Sequence, residues 1–355
     1  MSLDNLSHRS GLSLVRPLGN AATCGAKGIP PNFYTALNKM QVVALMKLQN
    51  VVILGTGGTI AGKAASASDN IGYAAAQVGI DQLLETIPAL VGTGPVITEQ
   101  VAQIDSKDMS FAVWAQLANR VNHFLARADV QGIVITHGTD TLEETAYFLQ
   151  AVCQPAKPVV LTCAMRPATA LAPDGPQNVL DAVAVARHKG AKGVVAVCAG
   201  TIHSAFDVQK VHPYKLDAFG SGDAGPIGYV EEGRLRVLRN WPVAQEGQAL
   251  SAMKNIADWP RVEIVMSYAG ASGSIVEALV AQGVQGLVVA ATGNGTLHHA
   301  LQTALLKAQA AGIRVLRATR CVNGRVLSLP GDAIPDSKGL SPAKARVALM
   351  LELIG

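Results

Sequence analysis

The 355-residue chain is short of aromatic side chains, with six Phe, three Trp and six Tyr. That is too few for a protein built around base-stacking platforms, and no stretch rich in Lys and Arg compensates, so no nucleic-acid partner is expected. Charged residues are scarce as well, at 15% against 49% hydrophobic, a balance that excludes a disordered chain. No apolar run is long enough to cross a bilayer, so no membrane partner is expected. The five cysteines (Cys24, Cys153, Cys163, Cys198 and Cys321) are odd in number and lack C-x-x-C spacing. They point to reduced thiols and a cytoplasmic protein rather than a disulfide framework. Cys163 and Cys198 end strand-like apolar runs and read as small buried hydrophobes. H-E-x-x-H is absent, and the adjacent His298 and His299 would point about 100° apart on a helix. No metal and no cofactor are expected.

The formal net charge of +4 is unevenly placed. Residues 1–45 carry Arg9, Arg16, Lys27 and Lys39 against Asp4 alone, a net +3, which leaves +1 for the rest. This segment shows no sustained period and no secretory apolar stretch. It reads as a loose N-terminal extension or translated upstream sequence, with Met40 and Met46 as alternative starts.

From residue 50 one figure repeats: a short Val/Ile/Leu run, a Gly/Thr/Ser loop, then a helical stretch. The runs fall at 51–54, 133–136, 158–163, 194–198, 262–267, 287–291 and 313–317. Continuous β-branched runs without alternation suit parallel strands buried on both faces. Helices are expected at 111–125, 143–152, 177–188, 297–310 and 342–353. The last opens with Ser341-Pro342, an N-cap followed by proline at the first helical position. The expected fold class is therefore α/β, with a larger N-terminal parallel-sheet domain (46–239) and a smaller C-terminal α/β domain (261–355). A polar, Pro-containing linker at 240–260 separates them. In open parallel sheets ligands bind beyond the carboxyl ends of the strands, which directs attention to the loops there.

After the first strand comes Gly55-Thr56-Gly57-Gly58-Thr59-Ile60-Ala61-Gly62-Lys63-Ala64. Gly57 to Lys63 fits most of a phosphate-binding loop, but Ala64 stands where a Mg²⁺-holding hydroxyl is required. A dinucleotide fingerprint fails at Ile60. Glycines permit a sharp turn with inward N–H groups, and Thr59 would then present a hydroxyl nucleophile at the strand end. The competing reading is that Thr59 only satisfies a local turn.

A second polar loop reads Thr136-His137-Gly138-Thr139-Asp140-Thr141-Leu142-Glu143-Glu144-Thr145-Ala146. Thr139 is a second candidate hydroxyl. Asp140 is a carboxylate suited to hold a cationic group, to cap the following helix, or to do both at once, with Glu143 completing a capping box. His137 reads as a structural, hydrogen-bonding histidine.

The pair of loops resembles the bacterial L-asparaginases, amidohydrolases whose signatures read T-G-G-T-I-A-G and H-G-T-D-T-x-E-E-T-A. The likeness extends through 105–109, 164–167, 174–176, 207–210, 293–295 and Pro342-Ala343-Lys344-Ala345-Arg346. It implies that Thr59 is the nucleophile and Tyr73 a tyrosine on a movable lid loop. Thr139, Asp140 and Lys210 would form a proton relay, the lysine suited to it if burial lowers its pKa. Gly58, Asp105, Ser106, Thr139, Asp140 and Ala164 would bind the substrate: Ser106 its carboxylate, Asp140 its α-ammonium, the Ala164 carbonyl its leaving amide nitrogen. The implied reaction converts L-asparagine to L-aspartate and ammonia through an acyl-enzyme, with glutamine the poorer substrate. The implied assembly is a homotetramer, a dimer of dimers.

Three departures from the family pattern stand out. Lys107 replaces a Gln or Glu expected near the substrate's amino group. Gly270 replaces a binding Asn or Ser from the second domain. The stretch 321–338 offers only Asp332 and Asp336 where a lid-supporting glutamate is expected. These bear on substrate affinity and glutamine use more than on the reaction type. The alternatives are a non-catalytic asparagine- or aspartate-binding protein and the ammonia-supplying subunit of an amidotransferase. The disulfide common in periplasmic members has no matching cysteine pair, in line with cytoplasmic residence.

Overall fold

The computed structural model describes residues 49–243 and 259–354. The expected extension at 1–45, most of the expected linker at 240–260, and Cys24 lie outside the described residues.

An eight-stranded sheet forms the larger lobe. Its strands are β1 (Asn50–Gly57), β2 (Val96–Ile104), β3 (Val130–Thr136), β4 (Pro158–Thr162), β5 (Gly193–Cys198), β6 (Thr201–Ser204), β9 (Gly228–Glu231) and β10 (Arg234–Val237), in the order β10-β9-β6-β5-β4-β3-β1-β2. The five strands from β5 through β2 run parallel. The other three are added antiparallel, so the sheet is mainly rather than wholly parallel. A short ribbon of β7 (Gln209–Lys210) and β8 (Phe219–Gly220) lies outside it. The smaller lobe is a parallel sheet of β11 (Val262–Met266), β12 (Gly286–Ala291) and β13 (Arg314–Thr319). The α/β fold with its larger and smaller lobes is as the strand pattern predicts.

The central runs form strands because every side chain finds apolar cover: Val51, Val52, Ile53 and Leu54 are wholly buried. On one face pack α2 (Phe111–Leu125) and α3 (Leu142–Cys153), and on the other α1 (Ile80–Glu85) and α4 (Gly175–Arg187). The period of α2 turns Trp114, Leu117, Ala118 and Val121 inward, while the Ser110 hydroxyl accepts the Val113 N–H at its start. In the smaller lobe α5 (Ser274–Ala281) and α6 (His299–Ala310) cover one face of the sheet. The other face is covered by α7 (Pro342–Ile354), which also packs on α3. One apolar core therefore runs from the large sheet through α3 and α7 into the small one. Trp259 is buried in it, its ring 5.1 Å from Phe111 and 5.8 Å from Phe148.

The strand order reverses at β1. The chain leaves β1 for the edge strand β2, then returns on the other side of β1 as β3. A crevice opens at such a switch point, and the loops after β1 and β3 form its two sides. No helix among the described residues is long and apolar enough to cross a membrane.

Candidate active site

Both polar loops read from the sequence meet at this switch. Gly55 is level with Thr136, and the Thr56 hydroxyl donates to the Thr136 carbonyl at 2.9 Å. Two glycines permit close approach here, Gly58 that of the two loops and Gly138 chiefly that of the segment after β2. A Cβ on Gly58 would lie 2.4 Å from the Gly138 Cα, and one on Gly138 would lie 2.4 Å from the Ser106 Oγ. Gly58 also has φ +81, a region that side chains disfavour. The next residue, Thr59, starts a single 3₁₀ turn (Thr59–Ala61) rather than a helix, so the phosphate-loop geometry is absent.

Thr59 is buried, but its Oγ lies 2.7 Å from the Tyr73 hydroxyl. Tyr73 arrives on the loop after the turn, which is tied back by an antiparallel bridge between Lys63 and Ala74. A second segment, just after β4, also holds this loop. The Ala64 N–H donates to the Thr169 hydroxyl, Ala168 N–H to the Gly62 carbonyl, and Leu171 N–H to the Ala67 carbonyl. The sequence reading had assigned no such anchor. Ala164 is buried at the start of that segment, which the Asp174 carboxylate organises by accepting the N–H groups of Met165 and Arg166.

The second loop assembles a charged group. Lys210 Nζ donates to the Thr139 hydroxyl at 2.8 Å and to Asp140 Oδ1 at 2.7 Å. Thr139 is buried, whereas the Asp140 side chain is half exposed. Ser106 is buried beneath them, its Oγ accepting the Asp140 N–H at 3.1 Å and its carbonyl the Thr141 hydroxyl at 2.8 Å. The described hydrogen bonds thus form two groups, Thr59–Tyr73 after β1 and Ser106–Thr139–Asp140–Lys210 around the loop after β3.

The capping reading of Asp140 and Glu143 is corrected. Helix α3 starts at Leu142 with Thr141 as its N-cap and no side-chain cap. Asp140 is turned to Lys210, and Glu143 Oε2 accepts the Lys210 backbone N–H at 2.7 Å. Burial pushes the Glu143 carboxyl up, opposed by that N–H and by the ammonium groups of Lys344 and Lys210. A buried carboxylate with cations in reach gains more from them than from a helix end that water can serve. Sequence spacing gave Glu143 only the capping role, because its partners lie far along the chain.

The remaining site candidates are placed as follows. Lys107 Nζ pairs with Asp105 Oδ2 at 2.6 Å and Asp108 Oδ2 at 3.5 Å, with most of its side chain in solvent. The Asp105 carboxylate is therefore engaged by Lys107, and it also accepts the Lys107 N–H. Gly270 sits in an exposed turn after β11, and no described contact joins it to Thr59 or Lys210. His137 is wholly buried, its Nδ1 lying 2.7 Å from the Gly138 carbonyl oxygen. Burial pulls its pKa down to about 4, so it is neutral near pH 7. Cys163 and Cys198 are buried with their sulfurs 3.2 Å apart, and that hydrogen bond, with burial behind it, keeps the Cys163 thiol protonated. Among the described residues no three His, Cys, Asp or Glu side chains converge as a metal site.

Residues 50–243 match the family model "Asparaginase, N-terminal", and residues 261–354 match "Glutaminase/Asparaginase C-terminal domain". The chain belongs to the asparaginase family. It is 40% identical to the glutaminase-asparaginase of Pseudomonas fluorescens biotype A over 93% of either chain. It is 38% identical to L-asparaginase 2 of Escherichia coli (strain K12), over 87% of this chain and 90% of that one. Among solved structures, the probable cytoplasmic L-asparaginase of Campylobacter jejuni superposes with a TM-score of 0.82 at 38% identity. That match covers 86% of this chain and 95% of the other. The likeness thus extends over both lobes, and the chain is an amidohydrolase of the asparaginase family.

Proposed function

We propose that this enzyme hydrolyses L-asparagine to L-aspartate and ammonia, with Thr59 as the nucleophile. The observation that carries the reading is a Thr59–Tyr73 hydroxyl pair on one loop and a Lys210–Thr139–Asp140 group at the other, where the two loops touch at the switch. A threonine hydroxyl attacks an amide only when its proton has somewhere to go, and the Tyr73 oxygen lies within hydrogen-bond reach of it. Thr59 Oγ adds to the carboxamide carbon, the C–N bond breaks, and the departing nitrogen leaves as ammonia after gaining a proton. The Thr139 hydroxyl relays that proton, taking one from the Lys210 ammonium as it gives up its own; Tyr73 relays the Thr59 proton to solvent water, from which Lys210 is reprotonated. Water then adds to the aspartyl ester and releases aspartate and the Thr59 hydroxyl.

In the same reading Ser106 and Asp140 take the substrate's α-carboxylate and α-ammonium, with Gly58 and Asp105 beside them and the Ala164 carbonyl facing the amide nitrogen. Because Asp140 already holds Lys210, an α-ammonium shares its carboxylate with that lysine. Glutamine, one methylene longer, is the poorer substrate. The functional division is 46–239, 240–260 and 261–355, in a cytoplasmic homotetramer built as a dimer of dimers. Exposed apolar side chains along the β11 edge (Ile264, Met266 and Tyr268) support a subunit contact there.

The test is ammonia release by the Thr59→Ala variant, where a loss of about 10³-fold or more is expected. Hydroxylamine should trap the acyl-enzyme of the unmodified protein as aspartyl hydroxamate. Full activity of Thr59→Ala overturns the mechanism. Binding of aspartate without any ammonia release by the unmodified protein overturns hydrolysis in favour of a binding protein.

A further inference from the structure

Lys344 is buried at 1% exposure, although it carries an ammonium and sits on a helix of the smaller lobe. An ammonium stripped of water is costly unless its donors are used. Its Nζ donates to the Phe206 carbonyl at 2.8 Å and to the Val208 carbonyl at 2.5 Å. Those carbonyls lie in the strand of chain that leads directly into Lys210. Glu143 accepts the Lys210 backbone N–H, and Glu143 in turn feels the charge of Lys344. The backbone around Lys210 is therefore held at three points, the 206 and 208 carbonyls by a lysine from α7 and the 210 N–H by a carboxylate from α3.

We infer that Lys344 is a positioning residue for Lys210: by holding the 206 and 208 carbonyls, and with Glu143 on the Lys210 N–H, it fixes where the Lys210 ammonium meets Thr139 and Asp140. The arrangement makes the smaller lobe part of the catalytic geometry in its own chain. Lys344 touches neither the substrate nor the reacting atoms in this scheme. It acts through the backbone of 206–210, a segment with only the two-residue ribbon β7–β8 for regular support. Burial pulls the Lys344 pKa to about 8 while Glu143 and Asp207 pull it upward, consistent with a cation enclosed between carbonyls and carboxylates.

The inference rests on Lys210 serving in the relay, so its test measures position and rate separately. Lys344→Met keeps the unbranched apolar stem, one atom shorter, and removes its donors. Steady-state kinetics on asparagine gives the rate. Trace acetylation of the folded protein, read by mass spectrometry at Lys210 against the exposed Lys307, gives the position. Lys344→Met is expected to lose about 10- to 100-fold in kcat with KM within about threefold, since a displaced catalytic group costs rate rather than binding. Acetylation of Lys210 relative to Lys307 should rise several-fold, and Lys344→Arg, which keeps donors and charge, should recover part of both.

A folded Lys344→Met with unchanged kcat and unchanged Lys210 acetylation overturns the inference. If Lys344→Met does not fold, Glu143→Leu removes the hold on the Lys210 N–H instead. It should lose kcat and expose Lys210 in the same way, while Glu143→Gln, which keeps an acceptor oxygen, should lose far less. Unchanged behaviour of Glu143→Leu overturns the inference equally. Full activity of Lys210→Met would instead overturn the relay, and the acetylation readout would still decide whether Lys344 holds Lys210 in place.

Discussion

The two loops at the switch are built by different physics. The first is a matter of backbone shape: Gly57 and Gly58 have positive φ, and Thr59 is brought to the crevice by a single 3₁₀ turn. Its partner Tyr73 is fastened by the main-chain bridge between Lys63 and Ala74, on a loop that Gly62 and Ala67 tie to 168 and 171. The second loop is a matter of buried side chains and charge. Ser106, Thr139 and Glu143 hold it from within, and two lysines balance two carboxylates around it. Steric change should therefore damage the first loop most, and removal of a charged partner the second. One glycine contact, Gly58 against Gly138, couples the two.

The largest effect after loss of Thr59 itself should come from adding a methyl group at that contact. Gly58→Ala places a carbon 2.4 Å from the Gly138 Cα of the other loop, and Gly138→Ala places one 2.4 Å from the Ser106 Oγ and 3.2 Å from the Gly58 Cα. A close-packed interior cannot absorb that, so stability should fall by about 1–3 kcal/mol and activity by about 100-fold or more. Urea unfolding and ammonia release measure the two. If either variant is fully active, the loops are not in the contact described.

Lys210→Met should follow, with about a 10²- to 10⁴-fold loss in kcat and much less change in KM. Tyr73→Phe keeps the ring and removes only the hydroxyl. It should cost about 10- to 100-fold in kcat with little change in melting temperature, because the loop is tied by its backbone. An equal loss of stability and activity would show instead that the hydroxyl pair holds the loop.

Acid should act on the second loop and on β6 first. Burial holds both His137 and His203 at a pKa of about 4, below the unfolded value near 6.5. Between those values the unfolded chain binds more protons, so stability falls as pH drops from about 6.5 toward 4. Each histidine contributes up to about 3 kcal/mol to that loss. Urea midpoints across this range should decline, and His137→Asn should flatten the decline. Lys107→Gln is expected to do least: its ion pair is exposed and screened by solvent, so melting temperature should barely move and kcat should stay within about threefold. A large change in KM would mean that Lys107 leaves Asp105 when substrate binds.

Much of this was legible from residue order. The buried parallel strands, the helix at 111–125 and the cap-and-proline start of α7 all follow from periodicity and end signals. The edge strand β2 was not, because Val96–Ile104 mixes polar and apolar residues on a half-exposed edge. The antiparallel strands β6, β9 and β10 were missed for a related reason, being only four residues long. In the site, Thr59, Thr139 and Asp140 stand in recognisable strings. Glu143 was misread because a carboxylate three residues past a helix start has a local use and a distant one, and spacing reveals only the local one.

Which residues carry hydroxyls, carboxylates and amines at the ends of buried strands was written in the chain, since strand, loop and cap signals act over a few neighbours. Only the tertiary fold decided which of them meet. The reversal of strand order at β1 brings two loops some eighty residues apart into glycine-to-glycine contact. The packing of α7 on α3 delivers Lys344 to carbonyls 136 and 138 residues away. Those pairings come from burying a shared apolar core, an energy that depends on the whole arrangement and leaves no mark at any single spacing in the sequence.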